Sequence, residues 1–257
     1  MEVEGCVALV TGANRGLGKA FAEALLEAGA GRVYAGSRDP AAITDPRLTP
    51  VSLDITSREQ AMAAAAVCGD VNLLINNAGI MLRTPILADG STEALRQEFE
   101  VNVFGTLAMI RAFAPVLARN GGGAMVNILS VASWVTSSLA ATYGASKHAE
   151  LAITEAARIE LRAQGTLVVG VYAGFIDTEM SRGVPLDKVS PRQVAERTLQ
   201  GLSNGVTRVL ADGRAEDVWN LMRQDPDRLE AGQQQTWDNR AAIFGARAPS
   251  QGSGTDD

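Results

Sequence analysis

The chain has 257 residues with a formal net charge of −6 and an isoelectric point near 5.0, a length that suits one large α/β domain. The acidic balance argues against non-specific binding to nucleic acid or an anionic membrane. A single histidine, His148, and two cysteines, Cys6 and Cys68, leave almost no material for a zinc site or a histidine-based triad, so no metal is expected.

The opening MEVEGCVALVTG has no basic leader and runs straight into a strand pattern, so a cytoplasmic location is expected. No apolar run approaches the roughly 20 residues that span a bilayer. CVALV (6–10) reads as a buried strand, and LGKAFAEALLEAG (17–29) as a helix with Leu17, Phe21, Leu25 and Leu26 on one face. RVYAGS (32–37) is a second strand, and the three prolines of RDPAAITDPRLTP leave room for one or two helical turns. VSLDI (51–55), VNLLINNAG (71–79), AMVNILS (124–130), TLVVGVYAG (166–174) and VTRVLAD (206–212) supply five more strands. Helices are expected over 57–67, 92–117, 142–162 and 190–202, with a charged helical region over 214–243. Cys6 and Cys68 adjoin apolar segments and read as reduced core thiols.

Near-continuous apolar strands separated by helices predict a seven-stranded parallel sheet, doubly wound, with helices on both faces, the Rossmann-type α/β arrangement. A single domain over 1–247 and a disordered tail over 248–257 are expected.

In such a sheet, ligands bind beyond the carboxyl ends of the strands. TGANRGLG (11–18) follows strand one, and its Gly12, Gly16 and Gly18 let a pyrophosphate approach backbone and the next helix N-terminus. The spacing is GxxxGxG rather than GxGxxG, and alone it is equally a tight turn. Where an acid would accept a ribose hydroxyl, strand two ends in Ser37 and Arg38, and Arg15 stands at the converging loop. Two cations there favour the 2′-phosphate of NADP over NAD. Asp39 precedes Pro40 and is expected to turn away, while Asp54 at the end of strand three can accept from an adenine amine. Small residues in Asn77-Ala78-Gly79 let backbone lie against adenosine, and Asn76 is either part of that surface or a tie between strands.

Ser130 ends strand five, and Tyr143 and Lys147 of YGASK are i and i+4 on one helix face. A cation one turn away favours the tyrosinate, so the pair forms a general acid/base without histidine. Ser130 faces the same crevice and can orient a carbonyl oxygen.

With these residues the chain resembles the short-chain dehydrogenase/reductase family in its compact single-domain form. TGANRGLG, Asp54, NNAG, Asn102 in VNVFG, Ser130, Tyr143 and Lys147 carry the resemblance over roughly residues 6 to 180. It implies Tyr143 as acid/base, Ser130 as the carbonyl-orienting group, Lys147 on the nicotinamide ribose, and Asn102 holding a water of a proton relay. It places Asn14, Leu17, Ile55, Gly174, Ile176 and Thr178 with the residues above along an NADP(H) surface. Ala173-Gly174 stands where the family has Pro-Gly, with Gly174 expected to supply the turn's freedom.

The resulting expectation is an NADPH-dependent carbonyl reductase, or the reverse alcohol dehydrogenase, acting on a small hydrophobic substrate. Trp134, Phe175 and Met180 are the first candidates for its walls, followed by Met81, Leu82 and Val135, with Trp219 and Met222 closing above. The segment 179–190 is the expected lid. The atypical C-terminus argues for a homodimer through helices 92–117 and 142–162 rather than a tetramer. The rival class is an NADP-sensing binding protein without turnover; an epimerase or dehydratase would need a larger substrate domain.

Overall fold

A computed structural model of the protein describes residues 1–244. The expected tail, and the last residues assigned to the domain, lie outside them. Seven strands form one sheet: β1 (Val7–Thr11), β2 (Arg32–Ser37), β3 (Thr49–Ser52), β4 (Leu73–Asn76), β5 (Ala124–Ile128), β6 (Leu167–Tyr172) and β7 (Arg208–Leu210). Their order is β3-β2-β1-β4-β5-β6-β7. All neighbouring pairs are parallel.

The apolar runs that carry no alternation are the strands covered on both sides, as parallel strands joined by helical crossovers must be. Successive residues go to opposite faces. Val10, Val126 and Val171 pack with Phe21 and Leu25 of α1 (Gly16–Glu27) and Val194 and Leu202 of α6 (Pro191–Ser203). Leu9, Leu74 and Met125 point the other way, to Met109, Phe113 and Leu117 of α4 (Thr106–Arg119). Phe113 and Leu117 are wholly buried, worth about 1.5–3 kcal/mol each against exposure. Sheet order reverses direction between β1 and β4, which opens the crevice at their carboxyl ends.

The remaining helices are α2 (Arg58–Val67), α3 (Ser91–Glu98), α5 (Ala141–Glu160), α7 (Gly213–Gln224), α8 (Pro226–Asp238) and α9 (Arg240–Phe244). The expected second strand matches, the third lies slightly earlier than expected, and β4, β5 and β6 end at Asn76, Ile128 and Tyr172, short of the expected 79, 130 and 174. The expected helix 92–117 is interrupted: α3 runs through a π-helical turn, Phe99–Gly105, before α4 begins.

One expectation needs amendment. The helical stretch Ser91–Arg119 contains an 18-residue window of mean hydropathy 1.6, long and apolar enough by composition to cross a membrane. Its apolar face is spent on the sheet, which is what a core helix requires. Cys6 and Cys68 are buried and unpaired, and burial pushes their thiols up to about 11 and about 12.

Candidate active site

The loop after β1 is built for close approach. Gly12 and Gly16 have φ of +66° and +54°, a region that side chains disfavour. Gly18 is needed for space: a Cβ there would lie 2.2 Å from the Gly12 carbonyl oxygen. The next turn of chain begins α1, whose first turn carries no acidic residue and whose N-cap, Arg15, makes no side-chain cap. The amides are therefore not spent on a side chain and face outward with the positive end of the helix dipole. Asn14 and the exposed Arg15 flank this loop, and Leu17 is buried beneath it.

Across the switch point, Thr11 Oγ1 accepts from the amides of Asn77 (2.9 Å) and Ala78 (3.0 Å). The Asn77 side-chain amide donates back to the Thr11 carbonyl at 2.8 Å. Asn77 therefore fixes the two strand ends relative to each other. Asn76 resolves to the structural reading, donating to Asn127 Oδ1 at 2.8 Å and tying β4 to β5. A side chain at Gly79 would press on the Asn102 carboxamide, 3.1 Å away.

At the end of β2, Ser37 is buried and its hydroxyl accepts from the Asp39 amide, while Arg38 is exposed. Asp39 spends its carboxylate on the Ala41 amide and turns from the crevice as expected. Asp54 Oδ1 accepts from the Thr56 amide (3.0 Å) and hydroxyl (2.7 Å). Those two bonds hold the carboxyl below its ordinary range, helped by the Arg38 charge. Ile55 is buried behind it, against Gly105.

After β6, Gly174 is not in the left-handed region. Its smallness serves another end, because a Cβ would sit 2.5 Å from Arg214 Cδ. The Thr178 methyl faces Gly16, at 3.3 Å from where a Cβ would be, so the strand-six loop meets the glycine loop. Ile176 pairs with Val189 in a parallel bridge that closes the base of the expected lid. Arg83, at φ +54°, donates to the Met180 and Arg182 carbonyls and holds the lid's near end.

The acid/base group lies on α5. Tyr143 is partly exposed at the crevice and Lys147 is buried one turn on, its Nζ 5.8 Å from the Tyr143 ring centroid. Ser130, two residues past β5, caps a short 3-10 turn by accepting from the Ala132 amide at 3.1 Å. The π-helical turn places Asn102 opposite α5. Its carboxamide donates to the Ile80 carbonyl (2.9 Å) and Ser146 Oγ (3.0 Å), and accepts from the Ile80 amide (2.9 Å). Such turns widen a helix and often sit at functional sites.

Burial raises the Tyr143 phenol above its ordinary value; Lys147 pulls it down, Glu150 pushes it up, and the Ser130 hydroxyl favours the ionised form. The sequence expected the cation to lower this pKa; instead burial first, and then the carboxylate behind the cation, outweigh it. Lys147 Nζ donates to the Ile128 carbonyl at 2.9 Å and to Glu150 Oε2 at 2.5 Å. Glu150 escaped the sequence reading although it completes an i, i+4, i+7 stripe with Tyr143 and Lys147. Glu98, also missed, is wholly buried; one oxygen accepts from the Leu82 amide at 2.7 Å, and burial raises its pKa.

Trp134 stacks on Tyr172 with ring centroids 3.9 Å apart and meets Trp219 at 4.9 Å. Trp219 in turn carries the Arg208 guanidinium 4.2 Å from its ring. These rings anchor α7 to the sheet before they serve any ligand. Phe175 lies 5.3 Å from the Arg214 guanidinium, and Met180 is 41% exposed on the lid. A cavity of about 320 Å³ opens beside the start of α5, lined by Pro85, Leu87, Ser138, Ala141, Gln233 and Trp237 among others. Sequence reasoning named none of these, since α8 reaches the cavity only through the fold.

The parallel sheet, glycine loop and Tyr–Lys pair define a dinucleotide-fold oxidoreductase. The family model for short chain dehydrogenases matches residues 6–188. A short chain dehydrogenase from Burkholderia cenocepacia J2315, solved in complex with NADP, matches with a TM-score of 0.88 at 46% identity, covering 91% of this chain and 99% of that one. A 1-deoxy-11-beta-hydroxypentalenate dehydrogenase from Streptomyces exfoliatus is 31% identical over 88% of this chain and 93% of its own length. A sorbitol dehydrogenase from Cereibacter sphaeroides is 32% identical over 72% of this chain and 75% of its own. The chain belongs to the short-chain dehydrogenase family.

Proposed function

We propose that the protein is an NADP(H)-dependent oxidoreductase that interconverts a carbonyl and a secondary alcohol, working as a carbonyl reductase on a hydrophobic substrate. The observation that carries this is the grouping of Ser130, Lys147 and, through Ser146, Asn102 around Tyr143. The uncapped amides of α1, the space kept by Gly18 and the facing Thr178 fit a pyrophosphate. Arg15 and Arg38 suit the 2′-phosphate, and the matching Burkholderia cenocepacia enzyme is described in complex with NADP.

When bound, the nicotinamide supplies or takes up the hydride. Ser130 orients the carbonyl oxygen, and Tyr143 gives that oxygen its proton or removes it from the alcohol. Lys147 holds the ribose side of the site and keeps a positive charge near the phenol. Asn102 braces the loop at Ile80 and links through Ser146 to the Tyr143 carbonyl (2.8 Å), fixing the first turn of α5. Positioned acid/base groups of this kind contribute on the order of 10²–10⁴-fold.

The two curated relatives are named for different substrates, so the substrate class rests on this chain's own walls. On this reading Met81, Leu82, Val135, Phe175 and Met180 supply apolar walls, and the cavity beside the start of α5, lined by other residues, offers further space. NADPH oxidation measured with a panel of aromatic and alicyclic ketones tests the reading. Turnover on hydrophobic ketones with little use of NADH is expected. Tight NADPH binding with no turnover on any of them would instead support a cofactor sensor.

A homodimer through α4 and α5 is part of the same proposal. Phe104 (54% exposed), in the π-helical turn that leads into α4, and Ile159 (77% exposed) on α5 leave large apolar groups on the outside of this helical region.

A further inference from the structure

Lys147 is not simply a cation beside a tyrosine. Its side chain is 7% exposed, and that of Glu150, one turn further along α5, is 2% exposed. The two are joined at 2.5 Å. The other carboxylate oxygen accepts from Thr106 Oγ1 at 3.4 Å, from the first turn of α4. Glu150's backbone carbonyl accepts from Thr154 Oγ1, which in turn accepts from Asn127 Nδ2 of β5 at 2.9 Å. The carboxylate is thus held from two elements, in a place where an unpaired charge would be costly. A lysine buried alone tends to lose its proton; beside Glu150 the Lys147 pKa is raised instead.

We propose that Glu150 is a positioning residue of the reaction: its carboxylate holds the Lys147 ammonium in place, keeps it charged, and offsets part of its field at Tyr143. The inference rests on the reading of Tyr143 and Lys147 as the acid/base pair.

The geometry gives the roles. Two of the lysine's three donors are committed, to the Ile128 carbonyl and to Glu150. One remains for the crevice, so Nζ has a single direction in which to act. Tyr143, Lys147 and Glu150 lie at i, i+4 and i+7, a stripe along one face of α5. The charged groups acting on Tyr143 are Lys147 and Glu150 from its own helix and Glu98 from α3, with the Ser130 hydroxyl from the end of β5. Burial first, and then the two carboxylates, raise the phenol against the pull of Lys147, the direction that favours the protonated tyrosine carbonyl reduction needs.

Glu150→Gln keeps the size and one acceptor oxygen and removes the charge. One negative charge fewer makes proton loss from the buried group easier. The readout is the alkaline tyrosinate absorbance of the cofactor-free protein, taken as the difference from Tyr143→Phe, which isolates one of the chain's three tyrosines. The Tyr143 midpoint is expected to fall by about one pH unit or more, and the alkaline limb of NADPH-dependent reduction to move with it. Glu150→Asp keeps the charge on a shorter arm; its midpoint stays near the wild-type value while kcat falls roughly ten-fold or more.

Removing one partner of a buried ion pair is strongly destabilising, so the wild-type titration stands beside the variants. Its Tyr143 midpoint is expected above the ordinary tyrosine value of about 10. An unchanged or raised midpoint in a folded Glu150→Gln, or a wild-type midpoint well below the ordinary value, overturns the proposal. Full turnover in Tyr143→Phe would instead overturn the acid/base reading, which the absorbance titration does not use.

Discussion

At the level of single side chains, Arg15 and Arg38 are the residues proposed to select the cofactor. Both are exposed, at the mouths of neighbouring strand-end loops, and the buried Ser37 holds no charge that would repel a phosphate. An arginine fork meets a phosphate with paired, charge-assisted bonds that a ribose hydroxyl cannot match. Replacing both with alanine is expected to raise the KM for NADPH by about 10²-fold or more, at 1.5–3 kcal/mol per charged bond lost, and to leave the KM for NADH little changed. Steady-state kinetics with the two cofactors decide it, and equal effects would return both arginines to the solvated surface. The YxxxK spacing made Tyr143 and Lys147 legible before any fold was known. Glu150 was not legible in the same way, because a glutamate on a helix is ordinarily a solvated charge; only the fold, which sets Lys147 and Thr106 on its carboxylate, shows that it is buried.

The element proposed to position the pyrophosphate is the turn from β1 into α1. Its tolerance is set by Gly18, where any side chain collides with the Gly12 carbonyl and with Asn77. Gly18→Ala is expected to displace the loop from β4 and to weaken dinucleotide binding by about ten-fold or more, read by titration calorimetry, while Gly165→Ala, with open space but φ +78°, costs some stability without touching the cofactor. The apolar pattern over 92–117 was periodic enough to suggest one uninterrupted helix. The apolar pattern did not reveal the π-helical turn at Asn102, Phe99–Gly105. The structural reason is local: the bulge lets Asn102 reach Ile80 and Ser146 at once.

For the whole molecule, the doubly wound parallel sheet was legible because right-handed crossovers leave few alternatives once parallel strands alternate with helices. The aromatic stack of Trp134, Tyr172 and Trp219 was not, since its members come from three distant segments. The outer faces of α4 and α5 carry the proposed assembly. Exchanging Phe104 and Ile159 for glutamate is expected to convert a dimer to a monomer in sedimentation equilibrium, and a wild-type monomer would contradict that arrangement. The central claim is that Tyr143 moves the proton of the carbonyl/alcohol reaction, with the rest of the crevice aligning it. The most direct measurement is single-turnover NADPH oxidation by Tyr143→Phe with a reactive ketone, alongside NADPH affinity. A loss of about 10²–10⁴-fold in rate with unchanged NADPH binding is the predicted result, and near-wild-type turnover with intact binding would contradict the account.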